Sequence, residues 1–224
     1  IGGKYINQSI GGCQFSDITV FSFHPVKIIT TAEGGIATTN SKKLSSRMQL
    51  LRSHGVTRDK RLMLNPKNVD WYYEQIDLGF NYRMNDLQAA LGISQMNRLD
   101  EFVSKRNKIK NRYDLLLKNL PVITPSTHID CYSASHLYSI QLDLQIISKS
   151  HSQVFSELRL NNIGVNVHYI PVHLNPFYEK KGFKVGDFPN SETYSRRAIT
   201  FPMFFALNDE QQNKTVNIFK EIIS

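Results

Sequence analysis

The chain has 224 residues, 41% of them hydrophobic and 21% charged, which is enough for a sizeable core in one domain or two small ones. No apolar run reaches the length of a bilayer span, so a membrane-spanning segment is not expected; the sequence opens at Ile1 in mid-pattern, so the lack of a secretory signal there carries little weight. The formal charge of +8 attracts anions. However, the basic residues are scattered, and the densest spots, 41–47 and 105–112, read as exposed helix faces, so nucleic acid is not an expected partner. The two cysteines, Cys13 and Cys131, are far apart and lack a CxxC spacing. That argues against a disulfide framework or a zinc site and fits a reducing cytoplasm.

In chain order, Asp17–His24 (DITVFSFH) is an apolar, β-branched run typical of a buried strand, ended by Pro25. After a Gly34-Gly35 turn, Ile36–Thr39 resumes as a strand. Asn40 or Ser41 caps a helix to about Arg52, closed by His54-Gly55. The segment Arg58–Tyr73 is polar and irregular, with a turn at Asn65-Pro66. Asn85 or Asp86 then caps one long helix carrying Leu87, Leu91, Leu99, Phe102, Ile109, Tyr113, Leu116 and Leu120 at helical spacing with some drift, stopped by Pro121. Gly92 within it reads as a close-packing point or a weak spot.

The remainder reads as a smaller α+β unit. Ile140, Leu142 and Leu144 alternate as a half-buried strand, and Ser150 with Gln153 forms a capping box for a helix through Leu160. Val165 and Val167 suggest a second strand, and Ser191–Ile199 a helix. Asn208 with Gln211 starts the last helix, with Val216, Phe219 and Ile223 on one face. The expected division is 1–120 and 121–224, with the break near Leu120–Pro125.

The segment Phe21–Gly35 (FSFHPVKIITTAEGG) carries the most chemistry. Lys27 stands just past a buried strand, in a turn fixed by Pro25. A strand end holds an amine still while the loop stays open to a ligand. An amine freed of its proton by burial or a neighbouring cation is a nucleophile toward carbonyl carbon. The two glycines allow close backbone approach. By spacing alone, a lysine after a strand is an ordinary surface residue.

The whole string resembles the active-site segment of the DegT/StrS-type sugar aminotransferases, a branch of the fold-type I enzymes that use pyridoxal 5'-phosphate (PLP). The matching positions are Ser22, Phe23, His24, Lys27, Glu33, Gly34 and Gly35. The resemblance implies an α/β fold of the aspartate aminotransferase type, here a partial large domain followed by a small α+β domain. It implies that Lys27 forms the Schiff base with PLP and also serves as acid/base, and that the Ser22 hydroxyl meets the cofactor phosphate. For His24 two roles stay open, contact with cofactor or substrate, or packing beside Pro25.

Further segments carry the resemblance along essentially all of the chain. Arg52-Ser53-His54-Gly55 resembles the family's helix end after the lysine strand, and reads as capping. Tyr72–Gly92 resembles the signature before the long helix, in which Asn81 would reach the phosphate site of a neighbouring subunit, implying a homodimer. Gly164–Asn175 resembles the small-domain segment lying over the sugar nucleotide. His168, Tyr169 and His173 are its candidates for meeting the sugar or its diphosphate, with a core or interface histidine as the other reading. Phe201–Asn208 reads as packing.

HPVK, the threonines before AEGG, RSHG, WYYE and ALGISQ together resemble the branch that aminates the 4-keto carbon of a UDP-linked 4-keto-6-deoxy-N-acetylhexosamine in pseudaminic acid biosynthesis, with glutamate as donor. Another nucleotide-sugar aminotransferase, or a non-catalytic sugar-nucleotide-binding remnant, is the alternative. Related sugar 3-dehydratases carry histidine at the lysine position, which Lys27 argues against. The family's large domain begins well upstream of the segment matching Ile1 and supplies an aspartate to the pyridine nitrogen. Asp17 is too close to the lysine strand to replace it. The sequence is therefore expected to be the C-terminal part of a longer enzyme.

Overall fold

The computed structural model describes residues 1–224. They form two compact units, Ile1–Asp100 with Asp130–Tyr132, and Glu101–Ile129 with Ser133–Ser224. The expected break near Leu120–Pro125 lies inside the second unit. The reason is that Ile109, Tyr113 and Leu117, before that break, belong to the C-terminal core.

In the first unit, β1 (Lys4–Tyr5) pairs antiparallel with β2 (Gln8–Ser9) and with β8 (Cys131–Tyr132). Strands β3 (Thr19–Ser22) and β4 (Gly35–Thr38) form an antiparallel hairpin whose last pair is Ser22 opposite Gly35. Helix α1 (Lys42–Arg52) starts where the Ser41 hydroxyl accepts the Leu44 amide. The short pair β5 (Val56–Thr57) and β6 (Glu74–Gln75) follows. Helix α2 (Asp86–Met96) opens with a reciprocal Asn85–Gln88 capping box.

The single long helix expected from Asn85 to Leu120 is instead two. The chain turns at Asn97–Arg98, and α3 (Leu99–Leu117) begins anew. The drift in apolar spacing marks this point, because a re-phased stripe cannot follow one straight helix. Gly92 is a close-packing point: a Cβ there would stand 2.8 Å from the Thr31 methyl group.

The second unit is built on an antiparallel sheet of order β10, β9, β7. The strands are β7 (Val122–Ile123), β9 (Tyr138–Leu142) and β10 (Ala198–Phe201). Helices α4 (His151–Leu160), α5 (Pro176–Glu179), α6 (Pro189–Arg197) and α7 (Asp209–Ile223) complete it. The expected capping boxes Ser150–Gln153 and Asn208–Gln211 are both present.

Two expectations are corrected here. Val165–Val167 makes one bridge, Asn166 with Thr200, and no strand. The residues taken as the end of a helix, Ala198 and Ile199, belong to β10, because their burial on both faces of the sheet outweighs helical propensity.

The core of this unit joins α3, β9, β10, α4 and α7. Tyr113 stacks on Tyr138 at 4.9 Å, and Phe201 packs edge-on to Phe219 at 5.3 Å. Burial pushes the Tyr113 phenol up to about 12, while its hydroxyl donates to the Pro202 carbonyl. Arg106 is buried, and its Nη1 donates to the carbonyls of His136 (3.1 Å) and Met203 (3.2 Å).

Candidate active site

Lys27 lies in the loop that closes the β3–β4 hairpin. Four hydrogen bonds shape this loop around Phe23, which is itself buried. The Phe23 amide donates to the Gly34 carbonyl (2.9 Å). The Phe23 carbonyl accepts from the Thr31 amide (3.0 Å) and from the Thr30 hydroxyl (2.9 Å). The Lys27 amide donates to the His24 carbonyl (3.0 Å), so residues 24–27 make a tight turn. The Lys27 side chain is half-buried at this turn.

The loop is tied to α2 by Gln95, whose Oε1 accepts the Thr30 amide at 2.9 Å. Sequence reading missed Gln95 as a supporting residue. Its partner is 65 positions away, and a glutamine on a helix gives no local sign of such a bond.

Ser22 and His24 flank the same turn. The Ser22 hydroxyl is exposed and accepts the His24 amide at 3.4 Å, which leaves its own proton free to donate to an anion. The His24 ring is half-exposed, and its Nε2 stands 3.8 Å from Glu33. The structure thus brings Ser22, His24 and Lys27 together on one loop. Asp17 lies before β3, at the end of the strand away from this turn.

Gly34 sits at φ +155°, and a Cβ there would press on Thr31 Oγ1 and on the Met84 methyl at 2.7 Å. Beside it, Glu33, Gly34, Gly35, Tyr82, Arg83, Met84 and Gln88 line an open groove of about 410 Å³.

Asn81 lies on the backbone ladder that joins the end of α1 to the 76–82 segment. His54 and Tyr82 amides donate to the carbonyls of Phe80 (2.9 Å) and Arg52 (3.0 Å), and Ser53 bridges Asn81. The ladder requires glycine: Gly55 has φ +68°, and a Cβ there would collide with the Asp77 carbonyl. Arg52–Gly55 therefore serves capping and close backbone approach, as expected. Asn81 itself is exposed, and its Oδ1 accepts Arg83 Nε at 3.1 Å.

The remaining candidates belong to the second unit. The His168 Nδ1 is 2.8 Å from the Thr200 hydroxyl, which in turn lies 2.6 Å from Ser139. Burial holds the His168 imidazole below its ordinary range. Tyr169 is 69% exposed. Of the two readings left open for His173, its geometry fits the core one: it is 7% exposed, with Nε2 3.0 Å from Glu192, and sits as one half of a buried pair. Such a ring is committed to the protein before any ligand arrives.

The model of the DegT/DnrJ/EryC1/StrS aminotransferase family matches residues 1–220. Spore coat polysaccharide biosynthesis protein SpsC of Bacillus subtilis is 35% identical over 222 residues, covering 98% of this chain and 56% of SpsC. The UDP-4-amino-4,6-dideoxy-N-acetyl-beta-L-altrosamine transaminase of Campylobacter jejuni is 35% identical over 209 residues, covering 93% of this chain and 52% of that protein. The chain therefore spans about half the length of the curated relatives it matches. Among solved structures, the putative sugar aminotransferase Spr1654 of Streptococcus pneumoniae in its PMP form superposes with a TM-score of 0.88 at 29% identity, covering 99% of this chain and 56% of that one. The same protein is also known in a PLP form. The fold-type I α/β expectation holds.

Proposed function

The chain belongs to the DegT/DnrJ/EryC1/StrS aminotransferase family, and from that premise we propose that it is the lysine-bearing part of a PLP-dependent aminotransferase acting on a nucleotide-linked sugar. The observation that carries this reading is the half-buried Lys27, held on a loop whose backbone is tied to Phe23 and α2. The residues present fit the aldehyde and phosphate of the cofactor. Lys27 offers an amine to the first, and Ser22 offers an unclaimed hydroxyl proton to the second.

When bound, PLP supplies the aldehyde that takes up an amino group and the ring that draws off the electrons of the broken C–H bond. Lys27 Nζ would hold that aldehyde until the amino donor displaces it. The freed amine is then the base that accepts the donor's α-proton at Nζ and later returns it. The half-exposed His24, 3.8 Å from Glu33 on the same loop, would contact the cofactor or the incoming group.

The finer reading follows the sequence resemblance and the activity named for the Campylobacter jejuni relative. Glutamate is the donor, and the acceptor is the 4-keto carbon of a UDP-linked 4-keto-6-deoxy-N-acetylhexosamine, in pseudaminic acid biosynthesis. His168 and Tyr169 meet the sugar nucleotide. The enzyme works as a homodimer in which the exposed Asn81 serves the neighbouring site. The apolar side chains left open on and before α2, including Leu78 and Leu87, support such an interface. The two free thiols agree with a reducing cytoplasm.

Replacing Lys27 by Ala in the full-length protein tests the proposal. Removing a positioned proton-transferring group is expected to cost at least about 10²–10⁴-fold in rate, here with loss of the cofactor's visible absorbance as well. Normal amino transfer by Lys27→Ala would refute it.

A further inference from the structure

We propose that Glu192, acting through His173, is a positioning residue that fixes the substrate-facing loop 167–172. This rests on the reading of His168 and Tyr169 as sugar-nucleotide contacts. The loop is fastened at both ends and free in the middle. At its start, the Asn166 amide donates to the Thr200 carbonyl (3.2 Å), and the Thr200 amide donates back to Asn166 (2.8 Å). The His168 ring is held at the same place by the Thr200 hydroxyl. At its end, Pro171 and His173 are buried, and His173 binds Glu192. Between these fastenings, Tyr169 is 69%, Ile170 66% and Val172 62% exposed.

The second fastening is a carboxylate hub. Glu192 is 4% exposed at its side chain and comes from the first half of α6. Its Oε1 accepts both His173 Nε2 (3.0 Å) and the Gly186 amide (2.8 Å). Its Oε2 lies 3.8 Å from Arg196 one turn further along α6. The Phe188 ring packs 4.8 Å from the His173 ring and helps cover the pair. One buried carboxylate therefore joins three stretches of chain: the 172–174 turn, the 184–188 loop and α6.

Holding an exposed tyrosine and a half-buried histidine in one place before the ligand arrives reduces the ordering cost of binding. The hub makes no claim on the amino-donor chemistry at Lys27. Its effect is expected to fall on the sugar nucleotide alone.

The experiment uses the full-length enzyme, with UDP-linked keto-sugar and glutamate as probes. Glu192→Ala is expected to raise KM for the sugar nucleotide by about tenfold, leave the glutamate half-reaction unchanged, and speed hydrogen exchange of the Leu174 and Asn175 amides, which donate to the Pro171 and Val172 carbonyls at the end of the loop. Glu192→Gln, which can still accept from His173 and Gly186, is expected to restore KM to within about twofold. His173→Leu keeps the bulk and leaves Glu192 its other partners, so it is expected to reproduce the KM rise even if Glu192→Ala fails to fold. An unchanged sugar KM in His173→Leu, or an equal loss in both half-reactions, would overturn the assignment. If the wild-type enzyme shows no Lys27-dependent amino transfer, the functional reading fails instead, and amide exchange still reports whether the hub pins the loop.

Discussion

The two units hold their shape by different means. In the second, Tyr113, Tyr138, Phe201 and Phe219 are each less than 2% exposed and pack on one another. In the first, the buried hydrophobic side chains are Phe23 and Ile29, whereas Val20 is 73% and Leu87 85% exposed. The first unit is shaped instead by backbone: hairpin loops, the 52–55 ladder, and glycines where a Cβ would collide. The lesson is that the candidate Schiff-base residue, Lys27, sits on backbone-defined loops, while burial energy is concentrated elsewhere. Apolar surface left open on that scale marks faces for contact with other protein.

The largest effect that can sharpen this contrast is in the second unit. Phe219→Ala is expected to cost about 3–5 kcal/mol in urea unfolding. The matching truncation Leu87→Ala on α2 should change stability by less than about 0.5 kcal/mol in the isolated chain. Equal losses would break the contrast.

Next in size is Gly55→Ala. The residue lies at φ +68° against the Asp77 carbonyl, and the strain should cost about 1–3 kcal/mol, read as lost amide protection at His54, Ile76 and Phe80. A smaller loss, about 1 kcal/mol, is expected for Ser41→Ala, which removes the cap of α1, visible as lower helicity on mild heating.

The smallest effects concern acid. Hydrogen bonds from Arg61 hold Asp59 at about 2. A depressed carboxylate adds stability that is complete above its unfolded pKa, about 3.9, and is lost as pH falls through the lower folded value. This exposed pair should also fade as salt is added. Glu192 is held low chiefly by its hydrogen bond to His173, with Arg196 also facing it. Its contribution has the same sign, lost as pH falls below the ordinary glutamate range. Because that pair is buried, its share should resist salt. Acid titrations at low and high salt, followed by amide exchange in each unit, separate the two.

The loop that carries the candidate residues was legible because it is local. Ser22, His24 and Lys27 lie within six positions, and the strand, proline turn and glycine pair that place them are short-range signals. The helix caps at Ser41, Asn85, Ser150 and Asn208 were legible for the same reason. The break at Asn97–Arg98 was blurred, since a drifting stripe reads as one helix until packing re-phases it. His173 stayed open between ligand contact and core because nothing near it in sequence announces Glu192, 19 positions on.

The sequence by itself determined the helix caps, the β3–β4 hairpin and the loop that carries Lys27, because each depends on residues within a turn or a hairpin of one another. Only the tertiary structure decided which side chains support that loop and which histidine is spent inside the protein. Gln95 on Thr30, Thr200 on His168 and Glu192 on His173 are pairings between distant positions. Burial and hydrogen-bond satisfaction select such pairs in three dimensions, and no periodicity along the chain encodes them.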